Sequence, residues 1–258
     1  MRITKIEKKK RLYLLELDSQ ESLYITEDTI VRFMLSKDKE ITENELQEIR
    51  DFAQFSYGKN IALYFLSFKQ RTKKEVLDYL KKYEIKEANA VKIITALEEE
   101  KWIDDKSYVE TYVRQNGLNG DKGPALIRQK LITKGVSKSV IDSCLVEVDF
   151  SNLIEKVAEK MLRKYQDKLP IRALQDKIVQ GLINKGFTYD LARKTVGQLD
   201  ISADDNMEAD LISKELEKLY RKYSRKYDGY ELKQRLIQAL ARKGFEFDQI
   251  QAVLRNYL

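Results

Sequence analysis

Histidine is absent from this 258-residue chain, and cysteine occurs once, as Cys144. The sequence therefore builds no Cys/His zinc site, no His-based general base and no internal disulfide. A reducing, cytosolic setting follows as the default. Only two prolines and ten glycines interrupt the chain, so helices joined by short turns are expected. The longest apolar run, 61–66, is far too short to cross a bilayer. The basic first ten residues lack the apolar segment that a secretory signal needs.

Phosphate loops, nucleophile elbows and dinucleotide fingerprints are missing too. The glycine-rich stretch NGLNGDKGP (116–124) has no flanking strand and reads as an interhelical turn. The pairs Asp104-Asp105 and Asp204-Asp205 stand at helix starts, where carboxylates cap free amides and meet the positive end of the helix dipole. A hard cation would need several more converging oxygens. Cys144 falls on an apolar helix face with no histidine to activate it, as a small core residue does. The chain is thus expected to be no enzyme and to take no cofactor, metal or small-molecule substrate.

What the chain has in quantity is charge: 35% of its residues, for a net of only +6. Residues 151–258 hold 21 Lys/Arg against 16 Asp/Glu, whereas residues 1–150 hold 27 against 26. The positive excess therefore lies in the C-terminal part and favours an acidic or polyanionic partner there.

The first sixty residues carry three short runs, RITKIE, RLYLLELD and SLYIT, that predict a three-stranded antiparallel meander. The basic turn of the first hairpin is expected to keep it soluble. Thr42-x-x-Glu45 is a capping box that opens a helix to about Phe55, and Gly58 is expected to end this module.

Beyond it one phrase recurs. LITKGV, LINKGF and LARKGF share Leu-x-x-Lys-Gly-apolar, with Gly135, Gly186 and Gly244 spaced by 51 and 58 residues. Counting back 51 places Glu84 at the glycine position of an earlier copy. Around the turn the apolar positions agree: Leu80, Leu131, Leu182 and Leu240; Val76, Ile127, Ile178 and Leu236; Ile85, Val136, Phe187 and Phe245; Ile94, Leu145, Val196 and Leu254. Such agreement marks a repeat of three helices per unit. The glycine suits a left-handed residue just past a helix end. With Glu84 there, the first unit is expected to end its second helix differently. Thr72-x-x-Glu75 and Asp104 or Asp105 are expected helix caps.

The fold class is therefore mainly α: tandem three-helix repeats in an elongated or curved array, preceded by a small β-meander module. The boundaries are 1–58 for the module, then 59–102, 103–149, 150–204 and 205–258 for the repeats. A unit of this size buries little apolar area alone, so stacked neighbours complete its core.

One surface pattern is repeated as well. In LYRKYSRKY, Lys222, Arg225 and Lys226 are expected to form a helical strip beside Tyr223 and Tyr227, and LRKYQDK lies 58 residues earlier. Arg163, Lys164, Tyr165 and Lys168 thus match Arg221, Lys222, Tyr223 and Lys226. Such strips suit phosphates with bases stacked on tyrosine. Alternatively they are solvated faces whose tyrosines pack on a neighbouring helix.

The tandem units, with QRTKKEVLDYLKK (70–82), WIDDKSYVETYV (102–113) and GPALIRQKLITKGVSKSVI (123–141), resemble the RecX family. Arg71-Thr72 with Glu75-Val76 matches that family's R-S/T-x-x-E-L phrase. Asp104-Asp105 with Tyr108-Val109 matches its D-D-x-x-F/Y-A/V phrase. The resemblance covers about residues 60–258, and the β module and fourth unit look like a longer form. It implies a helical crescent in the groove of the RecA–single-stranded DNA filament, limiting filament growth, ATP hydrolysis, strand exchange and LexA cleavage without catalysis. The implied partners are the RecA filament and single-stranded DNA, with double-stranded DNA as a further candidate and no membrane. Candidate contacts are Arg71, Lys74, Arg114, Arg128, Arg163, Lys164, Arg172, Arg221, Lys222, Arg225 and Lys226. A general nucleic-acid-binding helical protein and a purely structural adaptor are the alternatives.

Overall fold

A computed structural model describes residues 1–201 and 205–257. Asp204, half of one acidic pair expected at a helix start, lies outside them. Two compact units are present, Met1–Tyr112 with Lys130–Val146, and Val113–Gln129 with Glu147–Leu258.

The first unit begins with β1 (Ile3–Lys9), β2 (Leu12–Leu17) and β3 (Ser22–Ile25), an antiparallel sheet in that order. Leu15 lies opposite both Ile6 and Leu23, so one face gathers apolar side chains from all three strands. Thr26 then caps α1 (Glu27–Phe33), its hydroxyl accepting the Thr29 N–H at 3.3 Å. This short helix is an addition to the expected module.

α2 (Glu43–Ser67) opens at Thr42 with the expected capping box. It does not stop near Phe55 but runs straight through Gly58. A Cβ on Gly58 would lie 2.5 Å from Ile93 Cδ1 and 3.3 Å from Ile85 Cδ1. The glycine therefore serves a close approach inside the core rather than a helix end. As a result α2 belongs to two cores. Leu46, Ile49 and Ala53 close over Ile3, Leu15, Leu17 and Ile25 of the sheet. Ala62 and Leu66 join Val76 and Leu80 of α3 (Lys73–Lys82) with Ile93, Ile94 and Leu97 of α4 (Glu87–Glu99).

The other repeats follow as α5 (Asp105–Asn119), α6 (Pro124–Thr133) and α7 (Lys138–Val146); α8 (Ser151–Tyr165), α9 (Ile171–Asn184) and α10 (Tyr189–Gln198); and α11 (Asp205–Tyr223), α12 (Gly229–Arg242) and α13 (Phe247–Tyr257). With thirteen helices among the described residues, the chain is mainly helical. Of the aligned apolar positions all are buried but Leu145, which is half-buried. In α7 the neighbouring Cys144 turns inward instead, and it is buried as a core residue.

The Lys-Gly-apolar phrase is a joint. In unit 1 Gly135 has φ +85°. The Lys134 ammonium pairs with Glu75 at 2.7 Å, and the Thr72 hydroxyl donates to the Lys134 carbonyl at 2.7 Å. In unit 2 Gly186 has φ +90° and Lys185 pairs with Asp121. The Gly123 and Ala125 N–H groups donate to the carbonyls of Lys185 and Gly186 at 2.7 and 3.1 Å. The carbonyls freed at one helix end thus satisfy amides left over at the start of the preceding repeat's second helix. In the fourth repeat Lys243 pairs instead with Glu215 of its own α11 at 2.9 Å, and the third joint is made by the α9 amide of Ile171, which donates to Glu208 of the following repeat at 3.3 Å. The apolar residue after each glycine, Val136, Phe187 or Phe245, is buried.

Glu84 corrects an expectation. It too adopts the left-handed region, at φ +56°, so the first unit ends its second helix in the same way. Its side chain is exposed to solvent, and the only cost is the intrinsic one of a Cβ at positive φ.

Candidate nucleic-acid interface

The residues of the two quoted phrases, Arg71 to Val76 and Asp104 to Val109, build the joint between the first repeats. Thr72 caps α3, accepting the Glu75 N–H at 3.2 Å while its own N–H donates to the Glu75 carboxylate at 3.0 Å. Burial pushes the Glu75 carboxyl up, but hydrogen bonds from Lys134 and the Thr72 amide outweigh it and hold the group below its ordinary range. Lys134 is raised in turn by its bond to Glu75, and its ammonium lies 5.5 Å over the Tyr108 ring. Asp104 caps α5 by accepting the Ser107 N–H at 3.0 Å. Asp105 reaches across to accept the Lys73 N–H at 2.9 Å, at the start of α3. Burial raises its carboxyl above the usual range. These motif residues hold repeats together.

Arg71 shares this structural setting. Its guanidinium lies 4.1 Å over the Phe65 ring, its Nε is buried without a hydrogen-bond partner, and the residue is half-buried. The Lys74 stem fills the space that a Cβ on Gly135 would need, while the residue as a whole is exposed. Arg114 on α5 and Arg172 at the start of α9 are exposed, and Arg128 on α6 is half-buried.

The repeated cationic feature is placed alike in two repeats. Arg163 and Lys164 occupy the last turn of α8, and Arg221 and Lys222 the last turn of α11. Tyr165 and Tyr223 are the final residues of those helices. The Arg163 and Arg221 side chains are 77% and 80% exposed, each near a glutamate one turn back, at 3.3 and 3.7 Å. Such exposed pairs hold an arginine weakly and leave it available. Lys164 and Lys222 lie 5.0 and 5.5 Å over the neighbouring tyrosine rings.

Two parts of the expected strip change. α11 ends at Tyr223, so Arg225 and Lys226 stand in the following turn, exposed, and not on a helix face. The tyrosines belong to packing. Tyr220, Tyr223 and Tyr227 are half-buried against the core of Ile212, Leu216, Leu236 and Leu240, with Arg235 4.7 Å over Tyr227. Tyr165 packs likewise on the core of α8 to α10. Only Tyr230 of this group is exposed, at 78%. An aromatic spaced three or four residues along a helix faces its neighbour before it faces a ligand.

No helix among the described residues is long and apolar enough to cross a membrane, and no metal-ligating cluster occurs among them. The fold and its surface define a protein of tandem three-helix repeats, with cations displayed at matching helix ends.

Comparison with known proteins refines that class. The model for the first three-helix domain of RecX matches residues 59–97, and that for the second matches 104–145. The model for the third domain matches twice, over 147–196 and 207–254. The chain is 59% identical over 258 residues to regulatory protein RecX of Streptococcus pyogenes serotype M1, covering all of both chains. It is 58% identical over the same span to that of Streptococcus sanguinis strain SK36. Among solved structures, a crystal structure of regulatory protein RecX aligns with TM-score 0.63 and 31% identity, over 76% of this chain and 99% of that one. RecX from Lactobacillus salivarius aligns with TM-score 0.54 and 35% identity, over 58% and 98%. The chain belongs to the RecX family of regulatory proteins.

Proposed function

We propose that this chain regulates RecA in the cytoplasm by binding the groove of the RecA–single-stranded DNA filament, without catalysis of its own. Its binding limits filament growth and, with it, ATP hydrolysis, strand exchange and LexA cleavage. Family membership supports the regulatory role. The observation that carries the binding surface is the duplicated Arg-Lys pair, Arg163-Lys164 and Arg221-Lys222, exposed at the same point of two successive repeats. Two copies of one cationic feature in a single chain suit a polymer whose acidic groups recur. Bridging of adjacent protomers then lets modest contacts add up to firm binding. Lys74, Arg114, Arg128, Arg172, Arg225 and Lys226 extend the candidate surface, and Arg71 contributes through packing.

The exposed cations also favour a second reading, in which the chain binds DNA or RNA directly. Titrating the protein against RecA ATPase on single-stranded DNA, with free DNA binding measured alongside, separates the two. Filament regulation gives inhibition at concentrations where naked DNA is little bound; general binding gives tight naked-DNA binding that collapses with salt. The variant R221A/K222A/R225A/K226A, altered only at exposed positions, should fold and inhibit less. Full inhibition by that folded variant removes this surface from the mechanism.

A further inference from the structure

The basic turn of the first hairpin does more than stay in water. Lys9, Lys10 and Arg11, with Lys10 at φ +50°, form one wall of a cleft of about 610 Å³ within the first unit. Tyr57 and Tyr64 of α2 and Tyr79 and Tyr83 at the end of α3 form the opposite wall. No acidic side chain lines it.

The aromatic wall is built in layers. Tyr79 stacks on Phe65 with ring centres 4.0 Å apart and planes 2° from parallel. Tyr83 follows at 5.0 Å, its hydroxyl 3.3 Å from that of Tyr79. The bond to Tyr83 pushes the Tyr79 hydroxyl up to about 12. Packing fixes the inner rings, while Tyr64 and Tyr83 remain 50% and 44% exposed. On the cationic wall Lys9 is engaged by Glu7 at 2.7 Å, and Arg11 stands 5.4 Å over the Tyr64 ring. Lys10 has no acidic partner among the described residues.

We infer that this cleft is a binding site for single-stranded nucleic acid, with phosphates met by Lys10 and Arg11 and unpaired bases laid on Tyr64 and Tyr83. Cations beside uncharged ring faces fit a chain that alternates phosphate with exposed base. A duplex hides those base faces in its stack. An acidic peptide would use the cations and leave the rings idle. The adjoining opening past Tyr79 and Tyr83 is lined by Glu75 and Asp78 as well as Arg71 and Lys82, a mixed wall less suited to phosphate. The inference goes beyond filament binding, because the cleft belongs to the N-terminal module and the first repeat, whereas the duplicated Arg-Lys pairs stand on α8 and α11, and it needs no RecA.

The test measures anisotropy of a short labelled oligothymidylate with the full chain, without RecA. K10E/R11E and Y64A, changed at exposed positions, should each weaken binding on the order of tenfold or more, the loss expected for a phosphate or stacking contact. Y83A should do the same, and Y64A carries the stacking test if Y83A disturbs the fold. The variant R221A/K222A/R225A/K226A should keep most of this binding, which separates the cleft from the filament surface. Three results overturn the proposal: unchanged affinity in K10E/R11E and Y64A, an abasic oligonucleotide binding as well as oligothymidylate, or polyglutamate displacing the probe with equal efficiency. A chain that binds no oligothymidylate overturns it too, and leaves RecA inhibition to be judged by its own assay.

Discussion

Replacing Gly186 by alanine is the sharpest probe of the joints. The residue sits at φ +90°, and a Cβ there would come within 2.5 Å of the Leu126 nitrogen and 2.8 Å of the Leu126 Cβ. Two costs add. A left-handed residue with a Cβ loses about 1–2 kcal/mol, and forcing an atom into a filled joint costs about 1–3 kcal/mol more. The nearest obstacle is backbone, which cannot swing aside as a side-chain end can. G186A should therefore lose about 2–5 kcal/mol, a fall of roughly 4–20 °C in melting temperature for a protein of this size. Two further substitutions calibrate it. Gly197 in α10 has open space around it, so G197A should gain about 0.5–1 kcal/mol from helix propensity alone. Glu84 already tolerates positive φ on an exposed site, so E84G should gain about 0.5 kcal/mol by relieving that strain. Calorimetry or urea unfolding of the three variants reads the difference directly. If G186A melts with the parent, or no lower than G197A, the joint is not the close-packed contact described.

Four other outcomes follow from named groups. Glu75 is held below its ordinary value of 4.5, so its ionised form stabilises the fold. That contribution is present above 4.5 and lost as pH falls through the lower folded value. E75Q should therefore cost about 1 kcal/mol at neutral pH and nothing in strong acid, as unfolding at the two conditions will show. Asp105 has the opposite sign: raised above 3.8 by burial, its charge costs stability as pH rises through that window. D105N keeps an acceptor for the Lys73 amide and should match or exceed the parent at neutral pH, whereas D105A should lose about 1 kcal/mol. R71K removes the flat cation from the Phe65 face and should cost about 1 kcal/mol of stability with RecA inhibition intact once folded; lost inhibition at full stability would make Arg71 a contact. Finally, if Arg163-Lys164 or Arg221-Lys222 meets phosphate, its removal flattens the salt dependence of filament binding by about 0.7 per lost contact; an unchanged slope with weaker binding assigns the pair to protein.

Much of the scaffold was legible because packing leaves a periodic trace. The apolar positions around Leu80, Leu131, Leu182 and Leu240 repeat because each fills the same place in a three-helix core, and the structure buries them together. Capping boxes at Thr42 and Thr72 were legible from local chemistry alone. Gly58 misled, since a glycine demanded by a close helix approach looks in sequence like one that ends a helix. Helix α1 escaped despite the cap at Thr26, because seven residues carry little periodicity. The ion pairs of Lys134, Lys185 and Lys243 were out of reach for another reason. Their acids lie 59, 64 and 28 residues away, and only folding brings them together, across a joint for Lys134 and Lys185 and within one repeat for Lys243. The Lys10–Arg11 cleft was half visible: the cations stand in one phrase, but the tyrosine wall comes from two helices further along.

The duplication of the third domain sharpens which surface residues call for a partner. Both copies keep a tyrosine at the end of their first helix, and packing explains it, because Tyr165 and Tyr223 each lie on a core. Both also keep an arginine and a lysine just before it. The dipole of a helix favours a cation in its last turn by about 0.3–1 kcal/mol. Yet α5 and α10 end with no basic residue in that turn, so this fold does not require even one. A doubled, exposed pair whose aromatic neighbours are already spent on the interior is therefore free to be selected by something outside the chain. An acidic polymer with a repeating surface is the kind of partner that would keep it in both copies.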